Sequence, residues 1–288
     1  MMQPKEYPVL ITTESVADLP KQLLEQYHIA SIPYMLRTEH GLFQDGFEVD
    51  TRGCLSLLED KDALVETEVP SVEEYKAFFA KQSEKADNII HLTISGKVNE
   101  SGAVSAQKAA EEFDNVTVID SGHISTGQGL MVLKAARMAK DGAAPEEIVR
   151  KMAQMKGRIC INFLLESFDD LAKHKQASKY ITRFVNAMMI RPMLKMMYGK
   201  PRISAVYFGG RKRAWEKYIA FVFRKQGQID KSLLCITYVG IATKELEEIK
   251  RMVEKKVRFE EVYCQMASPV VAANFGPGTL CMSYYKKE

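Results

Sequence analysis

The sequence predicts an α/β protein of two domains. A parallel sheet flanked by helices is expected over residues 1–157, and a second α/β domain with a mixed sheet over residues 158–288. Strand–helix alternation through the first half points to a parallel sheet with helices on both faces. In the second half, two apolar runs meet around Tyr198-Gly199-Lys200-Pro201, the composition of a tight turn between strands. The length of 288 residues, 46% of them hydrophobic and 27% charged, suits two folded units.

The first strand is expected at residues 7–13, a short apolar run ending in hydroxyls. Residues 17–27 place Pro20, Leu23, Leu24 and Tyr27 on one helical face. A strand at 31–36 and a short helix at 54–59 follow. Ser71-Val72-Glu73-Glu74 has the form of a capping box, which predicts a helix running to about residue 83. Then come a strand at 88–93, a helix at 99–113, a strand at 116–120 and a helix from Ser125 to Lys140. Another helix follows Pro145, with Ile148, Met152 and Met155 at helical spacing. Beyond Gly157, strands are expected at 159–165 and, as a pair, within 193–208, where Ile203, Ala205 and Tyr207 share one face. A helix is expected at 181–190, one marked by Trp215, Ile219, Val222 and Phe223, and one marked by Leu246, Ile249 and Val253. Strands at 233–239, 262–266 and 280–285 complete the second domain.

Formal charge is +3, from 40 basic and 37 acidic residues, too balanced to argue for nucleic acid. The run Arg211-Lys212-Arg213 reads as a solvated face or a patch for a protein partner. Five cysteines lack CxxC spacing, which argues against a zinc site and a disulfide framework and fits a reducing compartment. The N-terminus has no basic-then-apolar segment, and no apolar stretch approaches the ~20 residues that span a bilayer. The expected location is the cytoplasm.

Three strand ends carry small hydroxyl or glycine residues before the next helix: Thr12-Thr13-Glu14-Ser15, Thr93-Ile94-Ser95-Gly96 and Asp120-Ser121-Gly122. In a parallel sheet these turns share the carboxyl edge, where open α/β folds bind ligands and helix N-termini favour anions. The plain alternative is that such residues are common in turns. No Gly-x-Ser-x-Gly and no phosphate loop occurs, and Gly127-x-Gly129 lacks a third glycine. A serine-dependent hydrolase or phosphotransfer enzyme would have to use Ser121 or Ser95 with His91 or His123. His91, in an apolar strand, reads first as a core histidine. Fifteen methionines, five of them between Met188 and Met197, read as core filling or as a lining for a flexible alkyl chain.

Taken in order, these segments resemble the DegV family of bacterial fatty-acid-binding proteins over essentially the whole chain. Ile11-Thr12-Thr13-Glu14-Ser15-Val16-Ala17-Asp18-Leu19-Pro20 resembles the family opening I-x-D-S-T-A-D-L-P. Thr67-Glu68-Val69-Pro70-Ser71 is similar to T-S-Q-P-S, Thr93-Ile94-Ser95-Gly96-Lys97-Val98 to T-I-S-S-x-L, and Val118-Ile119-Asp120-Ser121 to V-I-D-S. Gly276-Pro277-Gly278 resembles the closing H-x-G-P-G. The resemblance implies a DegV-like fold whose second domain lines an acyl tunnel, a long-chain fatty acid as ligand, and no cofactor, metal or catalytic residue. It implies that hydroxyls near the domain junction hold the carboxylate, here Thr67 and Ser95. Gly96 stands where the family has a second serine and would offer its backbone N–H. It also implies a separate ATP-dependent fatty acid kinase that phosphorylates the presented acid. The chain departs from the pattern there. Asn274 replaces the family histidine, residues 174–179 lack its glycines and arginine, and Phe208-Gly209-Gly210 lacks a further arginine, for which Arg211 is the nearest substitute. Ser121, Arg211 and Asn274 are therefore the accessory or partner-facing candidates.

Overall fold

β1 (Tyr7–Glu14) buries nearly every residue from Leu10 on, as a strand flanked on both faces must. In the computed structural model, which describes residues 5–59, 65–167 and 190–287, it lies inside a four-stranded parallel sheet. The order is β2 (Ala30–Ile32), β1, β6 (Ala86–Thr93), β7 (Val116–Asp120). Its helices are α1 (Lys21–Gln26), α3 (Val72–Ser83), α4 (Glu100–Ala110), α5 (Thr126–Lys140) and α6 (Pro145–Met155). The Ser71 capping box is present in both directions, and Asn99 caps α4 through Gly102 N–H.

α1 begins four residues later than expected. Asp18 takes a left-handed conformation (φ 50°) and Pro20 is the extended N-cap, so the chain turns twice before the helix starts. The expected strand at 31–36 is broken by Pro33. Residues before it join the parallel sheet as β2. Those after it form β3 (Met35–Thr38), the centre of a small antiparallel sheet with β4 (Gly41–Gln44) and β5 (Val65–Glu68). That second sheet was not anticipated. α2 (Thr51–Glu59) lies beside it in the chain.

The second half holds a six-stranded mixed sheet, β10 (Lys200–Phe208), β9 (Ile190–Met197), β8 (Ile159–Leu164), β13 (Leu280–Lys286), β11 (Ile229–Tyr238) and β12 (Glu261–Met266) in spatial order. Only β11 and β12 run parallel. α7 (Arg211–Val222) and α8 (Thr243–Glu254) cover one face through Trp215, Ile219, Ile249 and Val253. The short α9 (Pro269–Phe275) follows β12. Residues 181–189 of one expected helix lie outside the described residues, and Ile190 opens strand β9. Ile203 does not share the buried face of Ala205 and Tyr207: a bulge between Ile203 and Ala205 resets the alternation and leaves Ile203 exposed.

α5 is buried along most of its length because it packs on β1 from one side and on β8 and β13 from the other. Gly127 and Gly129 serve this packing. A Cβ at Gly129 would stand 2.5 Å from the Ala17 carbonyl oxygen. Gly129→Ala is expected to destabilise the protein by about 1–3 kcal/mol through overpacking. Thermal unfolding of the variant checks this, since an unchanged midpoint would mean that α5 does not approach so closely.

Candidate functional site at the junction of the sheets

The parallel register of β1, β6 and β7 brings the three hydroxyl-rich strand ends to one edge, as the sequence implies. That edge is largely satisfied from within. Ser95 N–H bonds to the His123 carbonyl, Ser121 N–H to the Thr93 carbonyl, and Gly122 N–H to Asp120 Oδ1. One acidic group enclosed there is the chain's own. Glu14 is fully buried and accepts four hydrogen bonds: Tyr75 Oη (2.8 Å) and Tyr34 Oη (3.3 Å) on one oxygen, Ile94 N–H (2.6 Å) and Gln128 Nε2 (2.9 Å) on the other. Burial nevertheless raises its pKa, against the pull of those donors. Sequence reasoning missed this group. The signal available was an acidic residue at the end of an otherwise apolar strand.

Two further carboxyl groups are buried, Asp18 and Asp45. Asp18 accepts from Ser125 Oγ (2.5 Å) and Ser268 N–H (2.7 Å), and Asp45 from Ser15 Oγ (2.5 Å) and Val270 N–H (2.9 Å). Together they tie the first turn of α9 to the N-terminal half. Burial, helped by the Asp45 charge, pushes Asp18 up to about 7. Burial raises Asp45 as well.

The apolar side of the junction is a cluster drawn from all three sheets. Ile94 and Ile124 come from the parallel half, Leu36 from the small sheet, Phe163, Leu194 and Met196 from the mixed sheet, and Val271 from α9. Phe275 stacks on Phe163 at 4.7 Å between ring centroids and 3° between planes. Beyond β9 the same sheet face continues to Val206 and Phe208, both exposed. Of the described methionines at 188–197, Met196 faces this cluster. Met193 packs in the opposite core, and Met197 is exposed.

The head-group candidates fall into two groups, each next in chain or strand pairing to a member of this cluster. Thr67 lies on β5 opposite Leu36, and Asn274 Nδ2 reaches its Oγ1 at 3.5 Å while bonding the Val270 carbonyl at 2.7 Å. Ser95 follows Ile94, is fully buried, and donates its hydroxyl to the Gly199 carbonyl at 2.7 Å. Gly96 packs close to Ala103. Among the described residues no hydrogen bond joins Thr67 to Ser95. A cleft of about 1250 Å³ runs elsewhere, along β2 and α1 to Asp45 and Ser268, and contains neither residue.

The serine–histidine pairs do not form. Ser121 Oγ bonds to the His123 backbone, and the His123 ring bonds to the Lys156 carbonyl at 2.9 Å. His91 is a core histidine: its Nδ1 meets Thr12 Oγ1 at 2.9 Å, and Tyr75, Phe78 and Phe79 surround the ring. Burial lowers its pKa to about 3, so it is neutral at ordinary pH. Arg211 is engaged, bonding Glu166 (3.1 Å) and Glu245 (3.2 Å), and Lys212 pairs with Glu248. Arg191 also clasps Glu166, at 2.6 Å, a second arginine that sequence reasoning passed over. Residues 174–179, where the family pattern has an arginine, lie outside the described residues. Among the described residues no His/Cys/Asp/Glu group could hold a metal ion, and no helix is long and apolar enough to cross a membrane.

A parallel α/β half, a small antiparallel sheet and a mixed-sheet half packed around one apolar cluster define a two-half α/β fold. The profile described as "Uncharacterised protein, DegV family" matches residues 8–287. The chain belongs to the DegV family. A DegV domain-containing protein of Deinococcus radiodurans is 30% identical over 214 residues, covering 74% of each chain, and one of Clostridium perfringens is 28% identical, covering 76% of this chain and 80% of the relative. Solved structures agree on the fold. A fatty-acid-binding DegV family protein from Thermus thermophilus superposes with a TM-score of 0.85 at 23% identity, over 97% of this chain and 100% of the other. A stearic acid-binding protein from Eubacterium ventriosum superposes with a TM-score of 0.79 at 21% identity, over 98% of each chain.

Proposed function

We propose that this protein is a carrier for one long-chain fatty acid, with no chemistry of its own. The acyl tail lies against the apolar face formed by Phe163, Leu194, Met196 and Phe275. The carboxylate meets Thr67, Ser95 and the Gly96 N–H. The observation that carries this reading is that Thr67 pairs with Leu36 across two strands and Ser95 directly follows Ile94, both Leu36 and Ile94 being members of one apolar cluster between the sheets. The solved relatives from Thermus thermophilus and Eubacterium ventriosum bind fatty acids on the same fold.

The energetics allow it. A tail of about sixteen carbons gains on the order of 10 kcal/mol at ~0.8 kcal/mol per methylene. Association costs of ~4–15 kcal/mol oppose this, so affinity depends on preformed apolar surface and a satisfied head group. Neutral hydroxyl and N–H donors can stabilise a buried carboxylate without a cation. The five free cysteines suit a reducing cytoplasm. Hand-over to a separate fatty acid kinase would have to work without the family histidine, and with Arg191 and Arg211 already committed to Glu166.

Organic extraction and mass spectrometry of the purified protein are expected to yield one acyl chain per molecule. Ser95→Ala is expected to weaken binding roughly tenfold or more, the loss of one hydrogen bond to a charged group. A lipid-free protein that also refuses added fatty acid would refute the reading.

A further inference from the structure

We propose that the β9–β10 hairpin tip is a strap over the head-group site, latched on Ser95, which must lift for an acyl carboxylate to be captured. The proposal rests on the carrier reading above. Every other polar group of Ser95 is committed to the local turn. Its N–H bonds to the His123 carbonyl, and its carbonyl accepts from Val98 and Asn99 N–H at 2.9 and 3.0 Å. Only the hydroxyl reaches out, and it donates to the Gly199 carbonyl 104 residues away. A hydroxyl has one hydrogen to give. Ser95 can therefore donate to the strap or to a ligand carboxylate, not to both.

The tip is shaped for this contact. Tyr198 and Gly199 take consecutive left-handed conformations (φ 53° and 81°), the backbone of a two-residue hairpin turn. A Cβ at Gly199 would stand 3.0 Å from Ser95 Oγ and 3.1 Å from Lys97 Cδ, so the close approach depends on glycine. The tip is also built to move. Met197 and Tyr198 are exposed, Tyr198 by 82%, so little apolar burial holds the turn down. β10 is an edge strand, and the bulge between Ile203 and Ala205 interrupts its pairing with β9 below the tip.

Unlatching the tip tests the strap. Gly199→Ala puts a Cβ 3.0 Å from Ser95 Oγ on a left-handed backbone, so the tip can no longer sit against the 95–97 turn. Uptake of cis-parinaric acid, a fluorescent fatty acid, should then quicken roughly tenfold or more against wild type, the latch hydrogen bond being lost. Lys97→Ala leaves Gly199 and the Ser95 hydroxyl in place and should take up the probe at the wild-type rate. Wild-type uptake kinetics in Gly199→Ala would overturn the strap while leaving the carrier reading intact. A wild-type protein that takes up no parinaric acid would overturn both.

Discussion

Glu14→Ala is expected to lower the free energy of unfolding by about 3–5 kcal/mol, read from the midpoint of urea denaturation. The truncation removes one acceptor group and strands four donors. Tyr34 Oη, Tyr75 Oη, the Ile94 N–H and Gln128 Nε2 all point at the missing carboxylate from within the core. Each unsatisfied buried donor costs about 1–3 kcal/mol before relaxation. Glu14→Gln preserves volume but turns one acceptor into a donor facing other donors, so an intermediate loss is expected. A wild-type midpoint for Glu14→Ala would mean that the carboxylate is not the hub that ties β1, β6, α3 and α5 together.

The Asp18 carboxyl should give the protein a stability that falls as pH rises. Its pKa goes from an ordinary 3.8 to about 7 on folding. The folded state therefore holds a proton that the unfolded state has released between those values. That contribution is complete below pH 3.8 and lost as pH climbs through about 7. The slope for one proton is roughly 1.4 kcal/mol per pH unit. Asp45 and Glu14, also raised by burial, act in the same direction. Surface carboxylates held by lysine or arginine act oppositely, so the measurement is the difference between wild type and Asp18→Asn across pH 4–8. Asparagine keeps an acceptor for Ser268 N–H and carries no titrating proton. The variant should gain on wild type by on the order of 4 kcal/mol across the window. A pH-independent difference would show that Asp18 ionises normally and is reached by water.

The elements with their own local signals were readable in advance. The Ser71 capping box, the apolar runs at β1 and β6, and the helical spacing of Ile148, Met152 and Met155 all appear in place. The tight turn at Tyr198-Gly199 was legible from composition, but not the bulge that turns Ile203 outward, since a bulge depends on the partner strand. Pro33 marked a break, yet nothing local said that the chain would leave one sheet for another there. The head-group candidates were named by resemblance to the family; Thr67 pairs with Leu36 and Ser95 follows Ile94, both in one apolar cluster. The engagement of Ser95 with Gly199 was invisible, because it joins segments 104 residues apart.

Hydrophobic period, turn composition and capping residues act over a few positions, so the chain order of strands and helices and the α/β class follow from them directly. Buried charge does not. Glu14, Asp18 and Asp45 look like ordinary acidic residues in a row of letters. Their enclosure, raised pKa values and partners exist because β1, the small sheet and α9 converge on them. Desolvation belongs to a place in three dimensions, and many distant side chains together make that place.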